Sequence, residues 1–124
     1  MVLVVVRKML GPAIVLALSV TAARAQPAGP ADARIQQILS VLRERPDEAS
    51  PSCLDSLKEM HATEDALQSA TSRGKSSDIE LANDVLETDY QNVMQVCGVD
   101  ATRVCHVPQD GKLGQACASL RRGN

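Results

Sequence analysis

Residues 95–107 read QVCGVDATRVCHV and contain two of the four cysteines of this 124-residue chain. Cys97 and Cys105 lie eight positions apart, and His106 follows the second of them directly. The pattern is open to four interpretations: metal ligands, an altered haem-attachment motif, a redox pair, or structural disulfides. The compartment of the protein and the helices on either side of the stretch decide between them.

The N-terminal segment predicts export. Two basic residues, Arg7 and Lys8, precede an apolar run at 9–23, and Ala-Arg-Ala at 23–25 fits the small-x-small rule of signal peptidase. The run of about 15 residues is shorter than the roughly 20 that span a bilayer. We therefore interpret residues 1–25 as a signal peptide, which leaves 99 of the 124 residues and no membrane segment in the mature chain.

Cleavage of that segment makes the chain more acidic. It removes three basic residues and no acidic ones, so 10 basic residues remain against 15 acidic ones and the net charge falls from −2 to −5. The chain also has no Phe, no Trp and a single tyrosine, Tyr90. A nucleic-acid partner is therefore not expected, because such binding needs clustered basic side chains and aromatic platforms.

The mature chain shows helical periodicity and no alternating β pattern. The predicted elements are a flexible leader at 26–31, helix 32–45 before Pro46, a helix from Ser50-Pro51 to Gly74, a helix from a Ser77–Glu80 capping box to Cys97 with Gly98 as its stop, a short turn at 101–105 capped by Asp100, and a helix around 113–120 between Asp110-Gly111 and Gly123. We expect an all-α domain at 32–124 with about four helices. The second and third form a central antiparallel hairpin, because only a few residues join them.

This hairpin favours one of the three pairings that four cysteines allow. Cys53 and Cys97 lie at the open ends of the two hairpin helices and face each other, which leaves Cys105 to pair with Cys117. Export also predicts an oxidising compartment, so the protein is expected to be periplasmic or secreted with two disulfides. The chain lacks the Cys-x-x-Cys of a thioredoxin-like pair and the Cys-x-x-Cys-His of c-type haem, and a zinc site would need reduced thiols. No cofactor is expected.

The same hairpin sets a register in which Leu57 lies by Val93, Met60 by Tyr90, and His61 by Asp89. Asp89 interrupts an apolar stripe, so a buried hydrogen-bonded pair of His61 and Asp89 is one hypothesis. The alternative is that both face solvent. His61 and Glu64 are also neighbours on a helix face, and they form a candidate metal site, with His106, Met60 or Met94 as further ligands.

The cysteine spacing resembles that of a known repeat. The matching residues are Cys97, Asp100, Cys105, Gly111, Leu113, Cys117 and Leu120, the segment Ser50-Pro51-Ser52-Cys53 with Leu57, and the helix Arg34–Leu39, in which Ile38 stands where a cysteine is expected. This arrangement is similar to the cysteine-rich repeat of small exported bacterial proteins and of the Golgi apparatus protein 1 family, in a partial and diverged form. The resemblance implies a helical, disulfide-linked module without catalytic residues.

These observations favour an exported module with a structural or protein-binding role and no catalysis. The sequence contains no nucleophile elbow or triad motif, so we expect it not to be an enzyme. Two alternatives stay open: a periplasmic metal-binding or metal-stress protein that uses His61 and Glu64, and an acid-responsive periplasmic chaperone that uses a His61/Asp89 switch. The sequence allows a protein partner, but neither its identity nor the oligomeric state follows from the sequence.

Overall fold

The computed structural model describes residues 29–123, which form four α-helices and one short 3-10 turn. The helices are α1 (Pro30–Glu44), α2 (Pro51–Arg73), α3 (Ser76–Val104) and α4 (Gly111–Arg122), and the turn is Pro46–Glu48. No strand occurs in this part of the chain, so the prediction of a small all-α domain is confirmed. The predicted signal peptide at 1–25 and residues 26–28 of the predicted leader lie outside the described residues.

Helix α1 begins earlier than its periodicity predicts. It starts at Pro30, two residues inside the predicted leader, because Pro is tolerated in a first turn and Asp32 accepts a hydrogen bond from the Gly29 N–H at 3.2 Å. The helix ends at Glu44, before Pro46, as predicted. Its buried stripe consists of Ile35, Ile38, Val41 and Leu42.

Both ends of α2 follow from local sequence signals. Ser50 is the N-cap, and its Oγ accepts a hydrogen bond from the Cys53 N–H at 3.2 Å, with Pro51 in the first turn. Gly74 ends the helix with φ +70°, the left-handed conformation that favours glycine. Both predictions are confirmed.

Helix α3 differs from its prediction at both ends. Its N-cap is Lys75 and no side chain caps it, so the Ser77–Glu80 capping box is wrong. Gly98 does not stop the helix, which continues to Val104 and absorbs the separate turn predicted at 101–105. The added turns bury Ala101 and Val104, which favours a continuous helix, and Gly98 itself faces α1, since a Cβ placed on it would lie 3.6 Å from Cδ1 of Ile38. Gly98 therefore lies inside α3 at its contact with α1.

Both predicted disulfides are formed, Cys53 to Cys97 across the hairpin and Cys105 to Cys117 between the end of α3 and α4. Their Cα atoms lie 4.8 and 5.4 Å apart respectively. No cysteine in the described chain is free. The cysteines therefore act as structural cross-links, as the sequence predicts.

The core lies where α1 packs against the open half of the α2/α3 hairpin. Its most buried side chains are Ile38, Val41, Val93, Cys53, Cys97 and Cys117. Helix α4 packs against α1, and Arg34 of α1 donates a hydrogen bond to the Leu120 carbonyl of α4 at 2.8 Å. Among residues 29–123, no helix combines the length and the hydropathy needed to cross a bilayer.

Candidate functional site

Two side-chain hydrogen bonds join α2 and α3 on the face of the hairpin opposite α1. Asn92 Nδ2 donates to Ser56 Oγ at 3.0 Å, and Thr63 Oγ1 donates to Asp89 Oδ2 at 2.6 Å. The predicted register placed Ser56 opposite residue 94 and Thr63 opposite residue 87, so it is two residues off at these two bonds. Tyr90, predicted beside Met60, bonds to Glu64, four residues further along α2. The Asn92–Ser56 and Thr63–Asp89 bonds join the two helices through polar side chains between the open end and the middle of the hairpin.

The predicted buried pair of His61 and Asp89 is not formed. His61 is 64 % exposed, and its Nδ1 lies 3.0 Å from Glu64 Oε2 in the next turn of the same helix. The carboxylate of Asp89 is already bound by Thr63. The structural basis for an acid switch built on His61 and Asp89 is therefore missing.

The candidate metal ligands do not converge. His61 and Glu64 are in contact, but His106 is exposed at the end of α3 and Met60 is buried in the core. Within residues 29–123, no group of three or more His, Cys, Asp and Glu side chains is arranged to hold a metal ion.

A polar groove between α1 and α2 contains the single tyrosine. The Tyr90 hydroxyl donates to Glu64 Oε1 at 3.5 Å, and Asp32 and His61 also line this groove. Burial, followed by the hydrogen bonding and negative charge of Asp32 and then of Glu64, raises the pKa of Tyr90 to about 12. The phenol thus stays protonated and links the first turn of α1 to the middle of the hairpin.

An apolar groove lies on the opposite face, at the closed end of the hairpin. We call it the hairpin-tip groove, and six small or aliphatic residues line most of it: Ala62, Ala66 and Ala70 of α2, and Leu81, Ala82 and Val85 of α3. Its volume is about 380 Å³. Leu81 is 66 % exposed and Val85 is 43 % exposed, although both lie on the groove side of α3.

Polar residues close both ends of the hairpin-tip groove. At the inner end lies the Thr63–Asp89 hydrogen bond, and at the tip Arg73 Nη2 and Asp78 Oδ2 are 4.0 Å apart. An apolar groove bordered by polar groups is a candidate binding surface.

The sequence did not predict this groove. Ala82 and Val85 share the helical periodicity of α3, yet Val85 is 43 % exposed. The signal in the sequence is the spacing of Ala62, Ala66 and Ala70, which puts three small residues on one helical face. The spacing alone does not separate a buried face from an open one.

Residues 29–123 form a small, all-α, disulfide-linked module with an open apolar groove at the tip of its hairpin. Comparisons with protein-family models, with curated proteins and with solved structures give no match. The resemblance to the cysteine-rich repeat therefore stays a prediction.

Proposed function

We propose that this protein is an exported, non-catalytic module that binds another protein through the hairpin-tip groove. Two disulfides within one small domain support an oxidising compartment, periplasmic or extracellular, because such bonds are rare in reducing ones. The apolar run at 9–23, followed by Ala-Arg-Ala, supports export through a cleaved signal peptide.

The observation that carries the binding role is the exposure of Leu81 and Val85 over a floor of alanines. Burying apolar surface is favourable by about 25 cal/mol per Å². A protein partner that covers these side chains therefore lowers the free energy of the complex. Helix α1 covers one face of the hairpin, and on the other face the Thr63–Asp89 and Asn92–Ser56 hydrogen bonds join its two helices. At the tip neither α1 nor such a bond covers Leu81 and Val85.

A photo-activated cross-linking side chain placed in the exported protein tests this role. Position 81 reports on the groove, and position 99 is a matched control, because Leu81 and Val99 belong to the same helix and are 66 % and 65 % exposed. We expect a discrete heteromeric adduct in the source cell from position 81 and none from position 99. Equal labelling from the two positions, or no adduct from position 81, would contradict the proposal.

The non-catalytic assignment is tested separately. Turnover of a substrate by the purified protein that one point substitution abolishes would contradict it.

A further inference from the structure

The shape of the hairpin-tip groove matches a helix. Ala62, Ala66 and Ala70 are each about one turn apart, and small residues on a helix surface allow a second helix to approach closely. The groove follows α2 from residue 62 to residue 73, which corresponds to roughly 16 Å or three helical turns at 1.5 Å per residue. A partner helix of that length needs an apolar stripe along one face.

The two sides of the groove indicate the kind of side chain that fills it. The α2 side consists of alanines, whereas Leu81 and Val85 stand on the α3 side. Large aliphatic side chains from a partner would fill the space above the alanines of α2 and would also contact Leu81 and Val85 of α3. Leucine-type residues at i, i+3 or i+4, and i+7 provide that pattern.

The rim of the groove is acidic. Asp65 lies three residues after Ala62 and Asp84 three residues after Leu81, so the two exposed carboxylates flank the outer edges of the groove. Two more carboxylates lie at its inner end, next to Thr63. Glu59 is one turn before Thr63 on α2, and Asp89 of α3 accepts the hydrogen bond from Thr63.

The basic residues near the groove lie at its tip. Arg73 is 4.0 Å from Asp78, and Lys75 is the N-cap of α3, so neither flanks the sides of the groove where Asp65 and Asp84 lie. A second copy of the chain would bring one acidic rim against another, which opposes self-association through this surface. A partner with lysine or arginine beside its apolar stripe complements the rim.

We propose that the hairpin-tip groove binds an amphipathic helix of a partner protein whose leucine-rich stripe is flanked by basic residues. This inference rests on the proposed function and adds the chemistry of the partner. The apolar stripe supplies the buried contact, and the basic flanks select the partner by pairing with Asp65 and Asp84.

Two synthetic helical peptides of roughly 15 residues test this chemistry. They share one leucine stripe and differ only in the flanking positions, which are lysine in one peptide and glutamate in the other. We expect the lysine peptide to bind the purified mature protein about tenfold more tightly at low ionic strength, because two or three exposed ion pairs add modestly to affinity. Added salt should reduce this preference by screening.

Variants of the protein assign the binding to the groove. Ala66→Glu places a charge on the apolar floor at an exposed position and should abolish binding of the lysine peptide without unfolding α2. Asp65→Lys/Asp84→Lys should reverse the preference toward the glutamate peptide. Glu44→Lys/Asp47→Lys changes the net charge equally at exposed positions away from the groove, and it should leave the preference unchanged.

Several outcomes would overturn the inference. Equal binding of the two peptides would show that the acidic rim does not discriminate between basic and acidic flanks. A preference that Glu44→Lys/Asp47→Lys reverses as well would show the same. Binding that survives Ala66→Glu would place the site elsewhere. Failure of both peptides while position 81 still forms its cross-link would reject the basic helix and keep the binding role. Dimerisation in sedimentation experiments, lost in Ala66→Glu, would assign the groove to a second copy.

Discussion

Asp100 is a buried carboxylate that joins the start of α2 to the end of α3. It is 3 % exposed, and its Oδ2 accepts a hydrogen bond from the Ser50 N–H at 2.7 Å. Its other oxygen lies 3.2 Å from Arg103 Nη2. Since Ser50 is also the N-cap of α2, the carboxylate fixes the residue that starts the helix. The aspartate thus acts between helices rather than as the cap of a turn that the sequence predicts.

Replacement of Asp100 by Ala should lower the free energy of unfolding by about 1–2 kcal/mol, because the half-buried Ser50 N–H loses its acceptor. Arg103→Ala should cost less than about 1 kcal/mol, since the guanidinium is largely exposed. Urea unfolding followed by circular dichroism compares the two variants. Arg103→Ala also removes a hydrogen bond to the Glu48 carbonyl at 2.9 Å, so an Asp100→Ala loss no larger than that of Arg103→Ala would contradict a stabilising bond to Ser50.

Tyr90 gives stability a dependence on alkaline pH. Its pKa is raised from the usual 10 to about 12 in the folded state, first by burial and then by Asp32 and Glu64. The folded protein therefore retains a proton that the unfolded chain loses above pH 10. The associated stability is fully present below pH 10 and is lost as the pH rises toward 12.

Tyrosinate absorbance measures this titration directly, because Tyr90 is the chain's single aromatic side chain. We expect a midpoint near 12 in the native protein and near 10 in urea. Asp32→Asn should lower the native midpoint, whereas the exposed control Asp47→Asn should not. A native midpoint near 10 would show that the phenol is fully solvated.

At the scale of helices, the two glycines predicted as stops behave differently. Gly74 has a left-handed backbone and ends α2, whereas Gly98 lies within the continuous helix α3 beside Ile38. A glycine inside a helix costs stability relative to alanine, and a glycine in a left-handed position avoids a steric penalty. The same substitution at the two sites should therefore have opposite effects.

Gly98→Ala should stabilise the protein by about 0.5–1 kcal/mol, because the new Cβ would contact Ile38 Cδ1 at an ordinary 3.6 Å. Gly74→Ala should destabilise it by about 1 kcal/mol through backbone strain alone, since no heavy atom lies within 4 Å of a Cβ there. Thermal unfolding of both variants gives the two signs. A destabilised Gly98→Ala would indicate that the packing against Ile38 does not accept a methyl group.

These helices show which features the sequence could predict. The Ser50 and Gly74 ends of α2 depend on a few adjacent residues, so local signals were sufficient. The disulfide pairing followed from the short hairpin connection. Whether α3 stops at Gly98 depends on its contact with α1, which no local signal contains. Local sequence therefore predicted the helices better than it predicted where they meet.

The error at His61 has a geometric cause. At Asp89 the predicted register was two residues off, and a helix turns about 100° per residue. Two positions therefore move a side chain from the inner face of α2 to its outer face, and Thr63 meets Asp89 in place of His61. Side-chain pairs across a hairpin need a more accurate register than disulfide pairing does.

At the scale of the whole molecule, unequal helix lengths leave the groove bare. Helix α1 has 15 residues, whereas α2 has 23 and α3 has 29. At 1.5 Å per residue α1 is about 20 Å shorter than α3, so it covers only the open half of the hairpin, with its first turn, at Asp32, beside Tyr90. Both disulfides also lie at the open end of the hairpin. The molecule thus combines a fixed base with an exposed tip that is available for binding.

The two disulfides should contribute unequally to the stability of that base. Cys53–Cys97 closes a separation of 44 residues and Cys105–Cys117 one of 12, so the chain-entropy model gives about 4 and about 3 kcal/mol. Their total is comparable to the whole net stability of a small domain, and full reduction should unfold most of the protein. Urea unfolding of Cys53→Ala/Cys97→Ala and of Cys105→Ala/Cys117→Ala measures each term. Because α4 packs mainly against α1, the second variant should keep its hairpin and its binding of the lysine peptide, and loss of both would mean that the tip depends on α4.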